Sequence, residues 1–110
     1  NGRPTLIEFY GENCPRCNKA AESGLPQVEE QAKRDGVNWV MVNAGYNDEL
    51  TTKYRVDALP HFEFLRADGL RAADAEEGRP PKADHIADRV SLLKKGGEVD
   101  KTVKQPLIFN

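Results

Sequence analysis

The stretch Asn13-Cys14-Pro15-Arg16-Cys17 follows the apolar run Leu6-Ile7-Glu8-Phe9-Tyr10 and holds both cysteines of the 110-residue chain. An apolar run, a turn, a Cys-x-x-Cys motif and a helical pattern, in this order, are typical of a redox-active dithiol. If Cys14 lies in the first turn of a helix, unpaired backbone N–H groups and the helix dipole stabilise its thiolate, and the charge of Arg16 acts in the same direction. Cys17, one turn later, is then placed to attack a mixed disulfide formed at Cys14.

Two other interpretations of the cysteine pair are open. A Cys-x-x-Cys motif can be half of a zinc site, but the chain has no second such motif, and His61 and His85 lack the spacing of a zinc-binding pair. No metal site is therefore predicted. The pair can also be a locked disulfide in a domain that only binds, because the spacing does not prove turnover. Redox chemistry is the favoured interpretation.

Composition and charge set broad limits. Charged residues make up 31% and hydrophobic residues 38%, which is typical of a water-soluble globular protein, and the length predicts one domain. The net charge of −2 predicts no general attraction to nucleic acid. No apolar run approaches the roughly 18 residues of a membrane span. The start Asn1-Gly2-Arg3-Pro4 resembles a processed end, so membrane contact is expected only through an anchor that has been removed or lies outside the sequence.

Glu8 interrupts the first apolar run. A carboxylate inside a buried strand is costly unless it is partnered or has a function. Glu8 can point to solvent at the margin of a sheet. Alternatively it lies beneath the cysteines, where burial raises its pKa and lets it accept a proton from Cys17. The sequence leaves both alternatives open.

The chain continues with helix-like and strand-like segments. Residues 18–34 have a helical composition, but Ser23-Gly24-Leu25-Pro26 predicts a kink or two helical pieces. Residues 37–43 are largely apolar and predict an interior strand, with Trp39 in the core.

The second half of the chain predicts a helix, a hairpin and a further helix. Asn47 or Asp48 can cap the first helix. Residues 61–66 alternate as a strand and turn at Ala67-Asp68-Gly69 into a second strand. Residues 83–95 have an amphipathic helical pattern. We therefore divide the chain into a domain over residues 1–95 and a charged, mobile tail over residues 96–110.

This order of elements resembles the thioredoxin family over about residues 4–95. The resemblance implies an α/β thioredoxin-like fold: a central mixed sheet of about four strands flanked by about three helices, without the leading strand and helix of full thioredoxins. Within the family, the chain looks most like the membrane-anchored thioredoxin-like proteins of the chloroplast thylakoid lumen and of cyanobacteria. The segments that carry the resemblance are Leu6-Ile7-Glu8-Phe9-Tyr10, Cys14-Pro15-Arg16-Cys17, Val37-Asn38-Trp39-Val40-Met41-Val42-Asn43 and Leu59-Pro60-His61-Phe62-Glu63-Phe64-Leu65.

The resemblance also implies roles for individual residues. Cys14 would be the exposed nucleophile and Cys17 the buried resolving thiol. Pro60 would be a cis-proline facing the disulfide, and the backbone of Leu59 would pair with an extended substrate segment. Glu8 falls at the position where many thioredoxins have a buried acid.

The chain departs from the family around the cysteines. Asn13 stands where the family usually has tryptophan, which removes an apolar docking surface, and Pro15-Arg16 replaces Gly-Pro. Asn13, Pro15 and Arg16 are still expected to contact the substrate. Met41 replaces the lysine often found near the buried acid, so Glu8 is expected to lack a charge partner.

The function implied by this resemblance is thiol–disulfide exchange. We expect a protein-disulfide reductase without a cofactor, acting on disulfide-containing proteins and supplied with electrons by an upstream thiol protein. The expected location is the thylakoid, facing the lumen, with the bacterial periplasm or cytosol as alternatives. The alternative function is a redox-inactive binding or structural subunit of a larger, photosynthetic assembly, in which the Leu107-Ile108-Phe109 tail contributes to binding.

Overall fold

Strand β1 (Thr5–Tyr10) lies inside a four-stranded sheet and has a hydrogen-bonded neighbour on each side. The computed structural model describes residues 2–79, 82–96 and 100–105. The other strands of the sheet are β2 (Asn38–Asn43), β3 (His61–Leu65) and β4 (Arg71–Glu77). Their order is β2-β1-β3-β4, with β1 parallel to β2 and antiparallel to β3, and β4 antiparallel to β3. The predicted mixed sheet is confirmed.

Helices cover both faces of this sheet. Within the described residues they are α1 (Pro15–Glu22), α2 (Leu25–Arg34), α3 (Asp48–Lys53) and α4 (Ala83–Lys95). Helices α1 and α2 are the two pieces predicted from Pro26. The break between them includes Gly24, whose φ of 84° is in the left-handed region that favours glycine.

Alternation along β1 divides the core in two, because successive side chains of a strand point to opposite faces. Leu6 packs with residues of α1, α2 and α4, whereas Ile7 and Phe9 pack with residues near α3. The first cluster is Leu6, Ala20, Leu25, Ala32, Val37, Trp39, Phe62, Phe64, Ala73, Ile86, Val90 and Leu93. The second is Ile7, Phe9, Val42, Tyr54 and Leu65.

The prediction that residues 37–43 form an interior strand is wrong for the described sheet. Strand β2 lies at its edge, and the side chains of Val40 and Met41 are exposed. Only Trp39 and Val42 of this strand reach the two core clusters. Apolar composition therefore identified the strand but not its place in the sheet.

The end of the chain is described only in part. Residues 100–105 contact β4: Gln105 accepts the backbone N–H of Arg71 at 2.8 Å, and the carbonyl of Lys104 accepts Arg71 Nη1 at 2.8 Å. The predicted binding role of Leu107-Ile108-Phe109 falls outside the described residues, and the division of the chain at residue 95 stays a prediction. None of the helices in the described ranges is both long and apolar enough to cross a bilayer.

We expect Ile86→Ala to lower the free energy of unfolding by about 2–5 kcal/mol, because it leaves a cavity in the first core cluster. Ile86 on α4 has no exposed surface. Leu92→Ala on the same helix is the control, since that side chain is 44% exposed. Urea unfolding of the oxidised protein measures both effects; equal losses would contradict this assignment of the core.

Candidate active site

The turn after β1 places Cys14 at the N-terminus of α1. Cys14 is the N-cap residue, with φ −104° and ψ 101°, and Pro15 follows in the first helical turn, where its missing N–H costs no hydrogen bond. The Cys14 sulfur accepts the backbone N–H of Cys17 at 3.2 Å. An anionic sulfur at this position is therefore stabilised by a helix N–H group and by the helix dipole.

The two cysteines form a disulfide, with their Cα atoms 5.2 Å apart. Cys17 is buried, with 8% of its surface exposed, whereas Cys14 is partly exposed. A partner molecule can therefore reach Cys14 more easily than Cys17. Asn13, Pro15 and Arg16 are exposed beside the disulfide, and Asn13 has a left-handed φ of 54°. The three form the outer surface around the cysteine pair.

A segment at the start of β3 lies near the turn that leads to the cysteines. The Leu59–Pro60 peptide bond is cis, and Pro60 is buried. Gly11 separates Leu59 from Cys14: a Cβ at Gly11 would lie 2.8 Å from Leu59 Cδ1 and 4.0 Å from Cys14 Cβ. Glycine at this position therefore lets the Leu59 side chain approach the turn that carries the cysteines.

A groove of about 370 Å³ borders Leu59. Tyr46 contributes an aromatic side chain that is 76% exposed. The groove is lined by Gly11, Glu12, Asn43, Gly45, Tyr46 and Leu59. Tyr46 was not among the residues predicted from the sequence. It supplies an exposed aromatic ring near a site where Asn13 provides none.

Glu8 is buried, with 6% of its surface exposed, and lies on the sheet face that α1 and α2 cover. The alternative that placed it in solvent is wrong. Its carboxylate accepts a hydrogen bond from the indole N–H of Trp39 at 3.2 Å. The residue at the neighbouring position of β2, Met41, is exposed and is not its partner. The sequence predicted Trp39 as a core residue but missed this hydrogen bond.

Burial raises the pKa of the Glu8 carboxyl above its ordinary value. The hydrogen bond from Trp39 lowers this pKa, and the negative charge of Glu29 raises it, so the net shift is upward. A neutral indole donor offsets only part of the desolvation cost, since it brings no opposite charge. Glu8 can therefore take up a proton more readily than an exposed glutamate.

The opposite face of the sheet holds a second set of buried charges that the sequence analysis missed. Glu63 has no exposed surface and forms two hydrogen bonds of 2.7 Å with the guanidinium of Arg71. His61 lies between Glu63 and Glu77. The alternation of His61 and Glu63 along one strand, with an arginine on the hairpin partner, is the signal that could have identified this cluster. No group of three potential metal-ligating side chains suited to a metal ion occurs in the part of the chain described.

The family model described as thioredoxin matches residues 1–91 of the chain. Among solved structures, the germline-specific thioredoxin Deadhead of Drosophila melanogaster superposes with a TM-score of 0.70. That alignment covers 84% of this chain and 83% of the other, at 22% identity. This similarity concerns the fold.

Two sequence relatives align with most of this chain. The thiol:disulfide interchange protein TxlA homolog of Synechocystis is 39% identical over 84 residues, which are 73% of this chain and 44% of that protein. The chloroplastic thioredoxin-like protein HCF164 of Oryza sativa is 37% identical over 99 residues, 87% of this chain and 36% of that protein. The chain thus spans less than half the length of these relatives.

We expect Glu8→Gln to stabilise the oxidised protein at pH 7. Because burial raises the folded-state pKa of Glu8, its contribution to stability is complete below about pH 4.5 and is lost as the pH rises through the folded-state value. Glutamine does not ionise and escapes this loss. The gain over wild type should therefore shrink when urea unfolding is repeated near pH 4.

The control for this comparison is Glu22→Gln, an exposed position at the end of α1. It should change stability little at either pH. A Glu8→Gln protein that is no more stable than wild type at pH 7 would contradict the upward shift of the Glu8 pKa.

Proposed function

The chain belongs to the thioredoxin family, and from this premise we propose that it is a thiol–disulfide oxidoreductase that reduces disulfides in partner proteins. The observation that carries the proposal is the arrangement of the cysteine pair. The more exposed sulfur, that of Cys14, caps a helix and accepts an N–H hydrogen bond, while Cys17 lies buried behind it. Such a site favours a thiolate nucleophile with a resolving thiol nearby.

The reaction begins with the reduced dithiol. The Cys14 thiolate attacks one sulfur of the partner disulfide, the partner S–S bond breaks, and the other partner sulfur leaves as a thiolate. Cys17 then attacks Cys14, which releases the second partner sulfur and forms the Cys14–Cys17 disulfide. Two electrons pass to the partner, and an upstream thiol protein returns two electrons to the pair.

We propose that Glu8 accepts the proton that Cys17 loses in the second step. Cys17 must lose a proton before it attacks, because the thiolate and not the thiol is the nucleophile. The raised pKa of Glu8 supports this role, since a carboxylate with a raised pKa accepts a proton more readily. Trp39 holds one Glu8 oxygen by its indole N–H, which fixes the orientation of the carboxylate.

Substrate docking is assigned to the surface around Cys14. An extended partner segment would pair with the backbone of Leu59 and lie against Pro60, while Asn13, Pro15 and Arg16 contact its flanks. The proximity of Leu59 to Gly11 supports this placement, because it brings the docking segment next to the turn that leads to Cys14.

We place the protein at the thylakoid, with the site facing the lumen. Similarity to a relative named as chloroplastic and to a cyanobacterial relative supports this assignment. The partners are then disulfide-containing proteins of that compartment, together with a thiol protein that donates electrons.

Insulin reduction tests the activity directly. With dithiothreitol as electron source, the wild-type protein should accelerate insulin reduction, and Cys14→Ser and Cys17→Ser should fall to the uncatalysed rate. Insulin and dithiothreitol are probes, chosen because the natural partner and donor need not be known. A wild-type rate equal to that of both serine variants would refute the activity and favour the binding or structural alternative. A Cys17→Ser trap would then identify physiological partners by their mixed disulfides.

Glu8→Gln should slow the second step by about 10²-fold, because the variant cannot take the proton of Cys17. The reduced protein is mixed with dithionitrobenzoate, and thionitrobenzoate release is followed by stopped-flow absorbance. The first phase reports attack by Cys14 and should not change; the second reports attack by Cys17. An unchanged second phase would remove Glu8 from the mechanism, and Glu22→Gln is the control.

A further inference from the structure

We propose that His61 is a positioning residue for substrate docking: held between Glu63 and Glu77, it fixes the Leu59–Pro60 segment to β4. This inference rests on the proposed function, since it concerns the docking surface of the same site. It predicts that protein disulfides and small disulfides depend differently on His61.

The His61 ring contacts a carboxylate at each of its nitrogens. Nδ1 lies 2.9 Å from Glu77 Oε1, and Nε2 is within hydrogen-bonding distance of Glu63 Oε2. The His61 side chain is almost completely buried, as is Glu63, whereas Glu77 is partly exposed. The edge of the ring of Phe9 packs against the imidazole, with centroids 5.4 Å apart. The ring is therefore held from three sides.

For both contacts to be hydrogen bonds, the three side chains together must carry one more proton than a neutral imidazole and two carboxylates do. A neutral imidazole has a single N–H donor, so one nitrogen would face a carboxylate oxygen as a second acceptor. Both links therefore form only when a proton lies between the two atoms of each nitrogen–oxygen pair.

The neighbouring charged groups fix one end of this unit. Arg71 on β4 binds both oxygens of Glu63, and its Nη2 also donates to the carbonyl of Tyr54 at 3.3 Å. The charged and titratable groups that face His61 or its partners are thus Glu63, Glu77, Arg71 and the Tyr54 phenol, whose pKa is raised by burial. Since Arg71 holds Glu63, the link between His61 and Glu77 is the one most easily released.

The link to Glu77 acts on the docking segment through the backbone. His61 follows Pro60 directly, and Glu77 precedes Gly78, whose N–H donates to the carbonyl of Pro60 at 3.0 Å. Gly78 also lies against the segment, because a Cβ there would be 3.2 Å from the Ala58 Cβ. One backbone and one side-chain hydrogen bond therefore join the start of β3 to the end of β4 next to Pro60. Without the side-chain link, the segment that pairs with the substrate is less well ordered before binding, which lowers affinity.

The experiment compares two disulfides: insulin, which needs the docking segment, and dithionitrobenzoate, which does not. For each protein the ratio of kcat/KM for insulin to kcat/KM for dithionitrobenzoate is measured at one pH. A change in the reactivity of Cys14 affects both reactions and cancels in the ratio.

His61→Gln and Glu77→Ala should each raise KM for insulin about fivefold or more, with the dithionitrobenzoate reaction unchanged. Glu77→Gln keeps an acceptor for His61 and should recover most of the wild-type ratio. His85→Gln and Glu76→Ala are matched controls, since this histidine–glutamate pair, 3.4 Å apart, also joins β4 to another element.

Each outcome decides the inference. If His61→Gln does not fold, as judged by circular dichroism, the two Glu77 variants decide, because that side chain is partly exposed and truncating it leaves no buried cavity. A folded Glu77→Ala protein with the wild-type ratio overturns the positioning role, as does an equal loss in the His85 and Glu76 controls. If wild type reduces neither disulfide faster than Cys14→Ser, the proposed function itself fails and the positioning role fails with it.

Discussion

The pairing of Phe9 with His61 holds the end of β1 against the start of β3. In an antiparallel pair, the residues that follow one strand and those that precede the other lie at the same end of the two strands. The turn to Cys14 leaves β1 at this end, and Pro60 leads into β3 there. This one register brings together Cys14 and the Leu59–Pro60 segment, which are far apart in the sequence. A slip of one residue would move Glu8 to the opposite face and displace the Leu59–Pro60 segment from the turn that leads to Cys14.

Two buried carboxylates on neighbouring strands, those of Glu8 and Glu63, have different hydrogen-bonding partners. Glu63 is bound by a guanidinium and an imidazole, so its negative charge is compensated where it lies. Glu8 has one neutral donor, Trp39, and its pKa is raised. A carboxylate that is partly desolvated and has no cation beside it can accept a proton more readily than an exposed one. The first arrangement suits positioning and the second suits proton transfer.

Much of this arrangement could be predicted from the sequence, because local patterns control it. Pro26 and Gly24 divided the first helical region, and the amphipathic stripe gave α4 its bounds. The cysteine spacing and the resemblance to a family gave the candidate site. The position of β2 could not be predicted, since an apolar run does not say which strand lies at the edge of a sheet. The partner of Glu8 was also missed, because strand register, and not proximity in the sequence, brings Trp39 to it.

The alternation of β1 and β3 also separates the two roles proposed for the site. Glu8 pairs with Phe62 and faces α1 and α2, whereas Phe9 and His61 face the side of α3. In the proposed mechanism, proton transfer to Glu8 takes place on one face of the sheet, and the charges proposed to hold the Leu59–Pro60 segment lie on the other. Leu6, Phe62 and Phe64, none of which has exposed surface, pack on the same face as Glu8. Since the contacts of His61 lie on the opposite face, the proposed proton exchange at Glu8 need not disturb them.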